Sequence, residues 1–162
     1  MNKATLSVSS SQGQSASDHA LVATSVRTAS KSAPARRPLF LCRVEAGFPS
    51  PADDYIEASL DLSEHLIKSE EATFFVRVGG NSMTDAGIHD GDILVVDRSV
   101  EPEGGDVVVA ALDGELTVKR YEVHSGHPYL MPENEDHDPI AIDPGQELIV
   151  WGVVQHVIHE VS

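Results

Sequence analysis

The feature that most constrains this chain is a series of short β-favouring runs, each closed by a glycine- or aspartate-bearing turn. Thr73-Phe74-Phe75-Val76-Arg77-Val78 ends on Gly79-Gly80, and Ile93-Leu94-Val95-Val96 follows Asp90-Gly91-Asp92 and closes on Asp97-Arg98. Asp106 to Ala111 follows Gly104-Gly105. Asp113-Gly114 then joins it to Glu115-Leu116-Thr117-Val118-Lys119-Arg120-Tyr121. Asp-Gly between two such runs is a two-residue hairpin signal. Shorter runs continue at Tyr129-Leu130-Met131 and Ile140-Ala141-Ile142, and Leu148 to Val154 leads into a last strand reaching Val161. Turn-punctuated strands at this spacing predict a mostly β body. Two short helices are predicted before it. One covers Pro51 to Ala58 with acids in its first turn, and the other covers Leu60 to Ile67 with Asp61 or Ser63 as cap.

The first 38 residues read differently. Serine, alanine and threonine dominate, no aromatic occurs, and no 3.6-residue apolar period is sustained, so a flexible arm is expected. The arm is basic: residues 1–45 carry six Lys/Arg and two acids, whereas the remainder carries five Lys/Arg and 24 acids. An acidic body repels phosphate, which argues against direct DNA binding by the globular part and favours protein partners. No apolar run approaches the ~18 residues of a membrane helix, and no compact apolar core follows the basic start as in a secretory signal. Cys42 is the only cysteine, so an intrachain disulfide is impossible and a reducing cytoplasm fits. It reads as a small buried hydrophobe.

Chemistry concentrates in Gly79-Gly80-Asn81-Ser82-Met83-Thr84-Asp85-Ala86-Gly87-Ile88. Two glycines let the backbone turn sharply at the strand end, and a short helix can begin on Met83. Ser82 has two possible roles there: an N-cap, or a nucleophile beside backbone N–H groups that hold an oxyanion. The second role needs a base, and Lys119 is the candidate. Period-two alternation places Leu116 and Val118 on one face and Thr117, Lys119 and Tyr121 on the other. A lysine at its reference pKa of ~10.4 is a poor base, but burial disfavours the ammonium and brings it into range. A solvated strand lysine is the other reading. The acidic turns lack EF-hand spacing. The pairs His124/His127 and His156/His159 sit three residues apart, on opposite faces of a strand, so no metal site or cofactor is expected.

From about Phe40 onward the chain resembles the LexA/UmuD family of self-cleaving serine peptidases, and most of all its UmuD branch. The residues that carry the likeness are Ala46 to Tyr55, Leu60-Asp61-Leu62, Asn81-Ser82-Met83, Gly87-Ile88, Asp90-Gly91-Asp92, Asp113-Gly114-Glu115, Thr117-Val118-Lys119 and Trp151-Gly152-Val153-Val154. The resemblance implies a compact, twisted, barrel-like β fold with one or two short helices. It implies a division into an arm over 1–46, removed by self-cleavage, and a peptidase-like domain over 47–162. It makes Ser82 the nucleophile, Lys119 the general base, Ser82 and Met83 the backbone oxyanion donors, and Ala46-Gly47 the scissile bond. It further implies a bacterial cytoplasmic homodimer acting in the SOS response to DNA damage. A RecA filament would promote the cut, and a Y-family polymerase catalytic subunit in translesion synthesis would be the partner. The chain departs from the UmuD pattern in three places: an arm longer than usual, Ala-Gly rather than Cys-Gly at the break with Cys42 four residues upstream, and Asn81 where an acid is common. A repressor of the same family would carry a helix-turn-helix ahead of the break, and the arm lacks the paired amphipathic helices for one. A repressor fragment and a non-cleaving polymerase-binding regulator are the alternatives.

Overall fold

A computed structural model of the protein describes residues 22–28, 36–40 and 56–161. Ten strands and one short α-helix follow in chain order. They are β1 (Val22–Thr28), β2 (Arg37–Phe40), β3 (Ile56–Leu60), α1 (Leu62–Leu66), β4 (Thr73–Gly79), β5 (Ile93–Asp97), β6 (Val107–Leu112), β7 (Glu115–His124), β8 (His127–Met131), β9 (Ile140–Ala141) and β10 (Leu148–Ile158). Eight of them form one sheet in the order β1-β4-β5-β10-β6-β7-β8-β9, while β2 and β3 pair separately. All pairings are antiparallel. Edge strand β1 also approaches β7, so the sheet curls on itself.

The turn chemistry explains the register. Asp113 (φ 49°) and Gly114 (φ 89°) both have positive φ, the requirement of a type I′ hairpin whose twist suits the flanking strands. The pairing Leu112↔Glu115 follows, and with it Val109↔Val118 and Val108↔Lys119. Ser125 (φ 52°) and Gly126 (φ 82°) repeat the device between β7 and β8. His124 and His127 are therefore cross-strand partners, not neighbours on one strand as the sequence reading has them.

Because the sheet curls, strands in its middle are buried on both faces. One cluster holds Phe74, Val76, Val78, Met83, Ile88, Leu94, Val96, Val109 and Val118. The other holds Val108, Ala110, Leu130 and Val153, with Tyr121 and Leu148 packed against it. Long β10 links the two by pairing with both β5 and β6, and bulges at Val150/Gly152 and Val154/His156 let it do so. It is one continuous strand that ends at Ile158, short of the Val161 expected from the sequence.

Helix α1 forms where expected, with Asp61 as its cap: the carboxylate accepts from the backbone N–H of Ser63 at 2.9 Å. Two expectations are corrected. Residues 56–58 belong to β3 rather than to a helix over Pro51 to Ala58, because pairing with β2 (Arg37↔Leu60, Leu39↔Ala58) overrides the local preference. The remainder of that segment lies outside the described residues. The 1–38 segment also contains strand β1. Val22, Ala23 and Ser25 to Thr28 pair along β4 around a bulge between Ala23 and Ser25, in register Val26↔Val76.

Candidate active site

Gly80 (φ 102°) turns the chain at the end of β4. The backbone then runs through Asn81 and Ser82 into a single 3-10 turn, Thr84–Ala86. The cap position of that turn is Met83, and no side chain caps it. Ser82 is thus not an N-cap. The turn is closed by Gly87 in the left-handed region (φ 75°), with Ile88 N–H donating to Met83 O at 3.1 Å. Met83 and Ile88 sink into the first core cluster and anchor the turn from below.

Ser82 is fully buried, and Lys119 is 3% exposed. Lys119 Nζ lies 2.7 Å from Ser82 Oγ, 3.1 Å from Thr117 Oγ1 and 3.1 Å from the carbonyl oxygen of Val118. The sequence places the two residues 37 positions apart, and the curl of the sheet brings them into hydrogen-bond contact. The strand alternation holds for the lysine's face: Lys119 stands opposite Val108, Thr117 opposite Ala110, and Tyr121 opposite Leu130 of the neighbouring strands. This is the face of the second apolar cluster. The solvated reading of Lys119 is excluded by its burial. Nζ donates to Ser82 Oγ, Thr117 Oγ1 and the Val118 carbonyl oxygen, so all three of these contacts are with the protein.

Residues that the sequence reading passed over hold the turn in place. Glu133 N–H donates to Ser82 O at 2.8 Å, and Asp85 N–H donates to Glu133 O at 2.9 Å. Asn134 Nδ2 donates to Asn81 O at 2.9 Å, and His137 Nε2 lies 2.8 Å from Asn81 Oδ1. Arg120, next to Lys119, pairs with the Glu133 carboxylate. The loop after β8 therefore straps the Ser82 turn to the strand that carries Lys119. Its sequence signal was a wholly polar run between Pro132 and Pro139. From the other side Asp90 Oδ1 accepts from Gly80 N–H at 2.9 Å, and Val78 N–H donates to Asp92 O at 3.0 Å. Asp90 and Asp92 thus do the turn work that the acidic cluster implied. Ala46 and Gly47, the expected scissile pair, lie outside the described residues, as does Cys42. Among the described residues, no helix is long and apolar enough to cross a membrane.

The fold is a curled antiparallel sheet that holds a buried serine and lysine in contact, and the chain belongs to the Peptidase S24-like family, which it matches over residues 38–155. Among its relatives, Protein ImpA of Escherichia coli is 48% identical over 123 residues, covering 76% of this chain and 83% of the relative. Protein MucA of Salmonella typhimurium is 48% identical over 124 residues, covering 76% and 84%. The LexA repressor of Bordetella petrii is 40% identical over 116 residues, covering 72% of this chain but 51% of the repressor.

Proposed function

We propose that the protein is a serine peptidase that cuts its own chain between Ala46 and Gly47, with Ser82 as nucleophile and Lys119 as general base. The observation that carries the reading is the 2.7 Å contact between Lys119 Nζ and Ser82 Oγ at a buried position. Burial disfavours an ammonium, and a neutral amine has the lone pair a base requires.

In this mechanism Lys119 takes the hydroxyl proton as Ser82 Oγ bonds to the Ala46 carbonyl carbon. Backbone N–H groups of Ser82 and Met83 hold the oxyanion. The tetrahedral species collapses, the Ala46–Gly47 C–N bond breaks, and Lys119 returns the proton to the Gly47 amine. Water, deprotonated by Lys119, then hydrolyses the ester on Ser82. Thr117, whose hydroxyl lies 3.1 Å from Nζ, orients the amine. The strap from Glu133 and Asn134 fixes the serine, so that little motion remains to be frozen out in the transition state.

Similarity to Proteins ImpA and MucA, together with the family features above, supports a UmuD-type role. In it the trimmed protein acts as a cytoplasmic homodimer that joins a Y-family polymerase subunit in the SOS response, and a RecA filament promotes the cut. The test is incubation of the purified full chain at mildly alkaline pH, read by intact mass. Fragments ending at Ala46 and starting at Gly47 are expected, with Ser82→Ala and Lys119→Ala each slowing their formation by about a thousandfold or more. A wild-type chain that stays whole alone and with a RecA filament would identify a binding-only regulator instead. Cleavage that persists in Ser82→Ala would refute the assignment.

A further inference from the structure

His159, near the C-terminus, meets His89 and Asp92 of the loop between the Ser82 turn and β5. Asp92 is 3% exposed, whereas the two histidine side chains are half-exposed, at 51% and 50%. His159 Nδ1 lies 2.7 Å from Asp92 Oδ1, and His89 Nδ1 lies 3.9 Å from Asp92 Oδ2. The imidazole rings stand 5.2 Å apart, inclined at 51°. One potential ligand atom from each residue lies within 4.8 Å of the other two.

We infer that His89, Asp92 and His159 form a binding site for a first-row divalent metal ion, Zn²⁺ foremost. Two imidazole nitrogens and one carboxylate oxygen are a donor set that Zn²⁺ accepts at about 2.0–2.2 Å from each ligand, with water in the fourth position. Ligand atoms of a tetrahedral ion at those bond lengths are about 3.3 Å apart. Binding opens the 2.7 Å contact between His159 and Asp92 slightly and draws the more distant ligand atoms together, by rotation of the two half-exposed imidazoles. The carboxylate needs no such adjustment. It is held by the His89 backbone N–H, which donates to Oδ2 at 2.8 Å, so the backbone of this loop orients the carboxylate. The donor types favour zinc over calcium or magnesium, which take oxygen ligands.

The position gives the site a structural consequence. His159 follows the last residue of β10, and His89 to Asp92 form the loop that holds Gly80 and Val78 through Asp90 and Asp92. A bound ion therefore cross-links the C-terminal end of the sheet to the segment supporting the Ser82 turn. Spacing within single strands drew attention to His156/His159 and His124/His127, but the fold pairs His159 with His89 instead.

The experiment is titration of ZnCl₂ into chelator-treated full-length protein carrying Ser82→Ala to keep the chain whole, followed by calorimetry and by competition with a chromophoric chelator. One equivalent per chain is expected, with a rise in Tm that grows with Zn²⁺ concentration. His89→Gln and His159→Gln, both at half-exposed positions, are each expected to weaken binding at least about tenfold and to abolish the Tm rise. His124→Gln/His127→Gln is expected to bind as the parent does. Co²⁺ in place of Zn²⁺ is expected to give the visible absorption of a four-coordinate ion in the parent and to lose it in His159→Gln. Binding unchanged in His89→Gln and His159→Gln would overturn the inference. So would half an equivalent per chain, which marks an ion bridging two molecules, or no binding by the parent at micromolar Zn²⁺.

Discussion

At the scale of single residues, the proposed chemistry depends on how the Lys119 amine is held. Thr117→Val keeps the shape of the side chain and removes the hydroxyl 3.1 Å from Nζ. One such hydrogen bond contributes about 1 kcal/mol, so a loss of roughly fivefold in self-cleavage rate is expected, with the folded state intact by circular dichroism. An unchanged rate would show that Val118 O alone positions the amine. The reaction also needs the unprotonated amine, so the rate is expected to climb with pH and to level off once the amine is neutral. A rate that falls as pH rises would contradict Lys119 as base. Ser82 and Lys119 were each legible as candidates because glycine turn, hydroxyl and strand lysine leave local marks, but those marks left an N-cap and a solvated lysine open, and the family resemblance made them a pair. Glu133, Asn134 and His137 were not. They act through backbone amides and amide side chains on a loop, where no periodicity records a partner 50 residues away.

At the scale of elements, the hairpins and the crossing of β10 are the points of greatest constraint. A Cβ placed on Gly152 would lie 2.8 Å from the carbonyl oxygen of Asp97 and 2.9 Å from Val96 Cγ1. The first neighbour is backbone in β5, so it cannot swing aside. Gly152→Ala is expected to destabilise the fold by about 1–3 kcal/mol, as overpacking does, measured as a lower midpoint of denaturant unfolding. A midpoint equal to the parent's would mean that β10 and β5 can separate locally. Gly152 stood out in the sequence only as part of Trp151-Gly152-Val153. The close approach that requires it exists only once β10 lies across β5. Asp113-Gly114, by contrast, announced its hairpin outright, since positive φ at both positions is a local demand. The helix expected over Pro51 to Ala58 gave way at residues 56–58 for the opposite reason. Pairing of β3 with β2 joins residues about 20 positions apart, and no window along the chain contains both.

At the scale of the whole molecule, β1 and β2 precede the proposed break while β3 to β10 follow it. A cut after Ala46 would leave the edge of β4 with no covalent tie to its partner strand, and an open edge is a template for another strand. Amides of Thr73–Gly79 that face β1 are expected to exchange with solvent faster in the fragment starting at Gly47 than in intact Ser82→Ala. Equal protection in both would show that β1 stays bound after the cut. The charge distribution acts at this scale too: with a net charge of −15, the chain is expected to show no measurable binding to duplex DNA at physiological salt. Sequence by itself determined the β class, the turns, helix α1 and the two residue types that could react, because each follows from conformational preferences within a few residues. Tertiary structure alone decided that the serine and lysine meet in a buried place, that a polar loop straps them, that β1 joins the sheet edge, and that His89 faces His159. Those are distances between parts of the chain remote from one another, and only the curl and register of the completed sheet fix them.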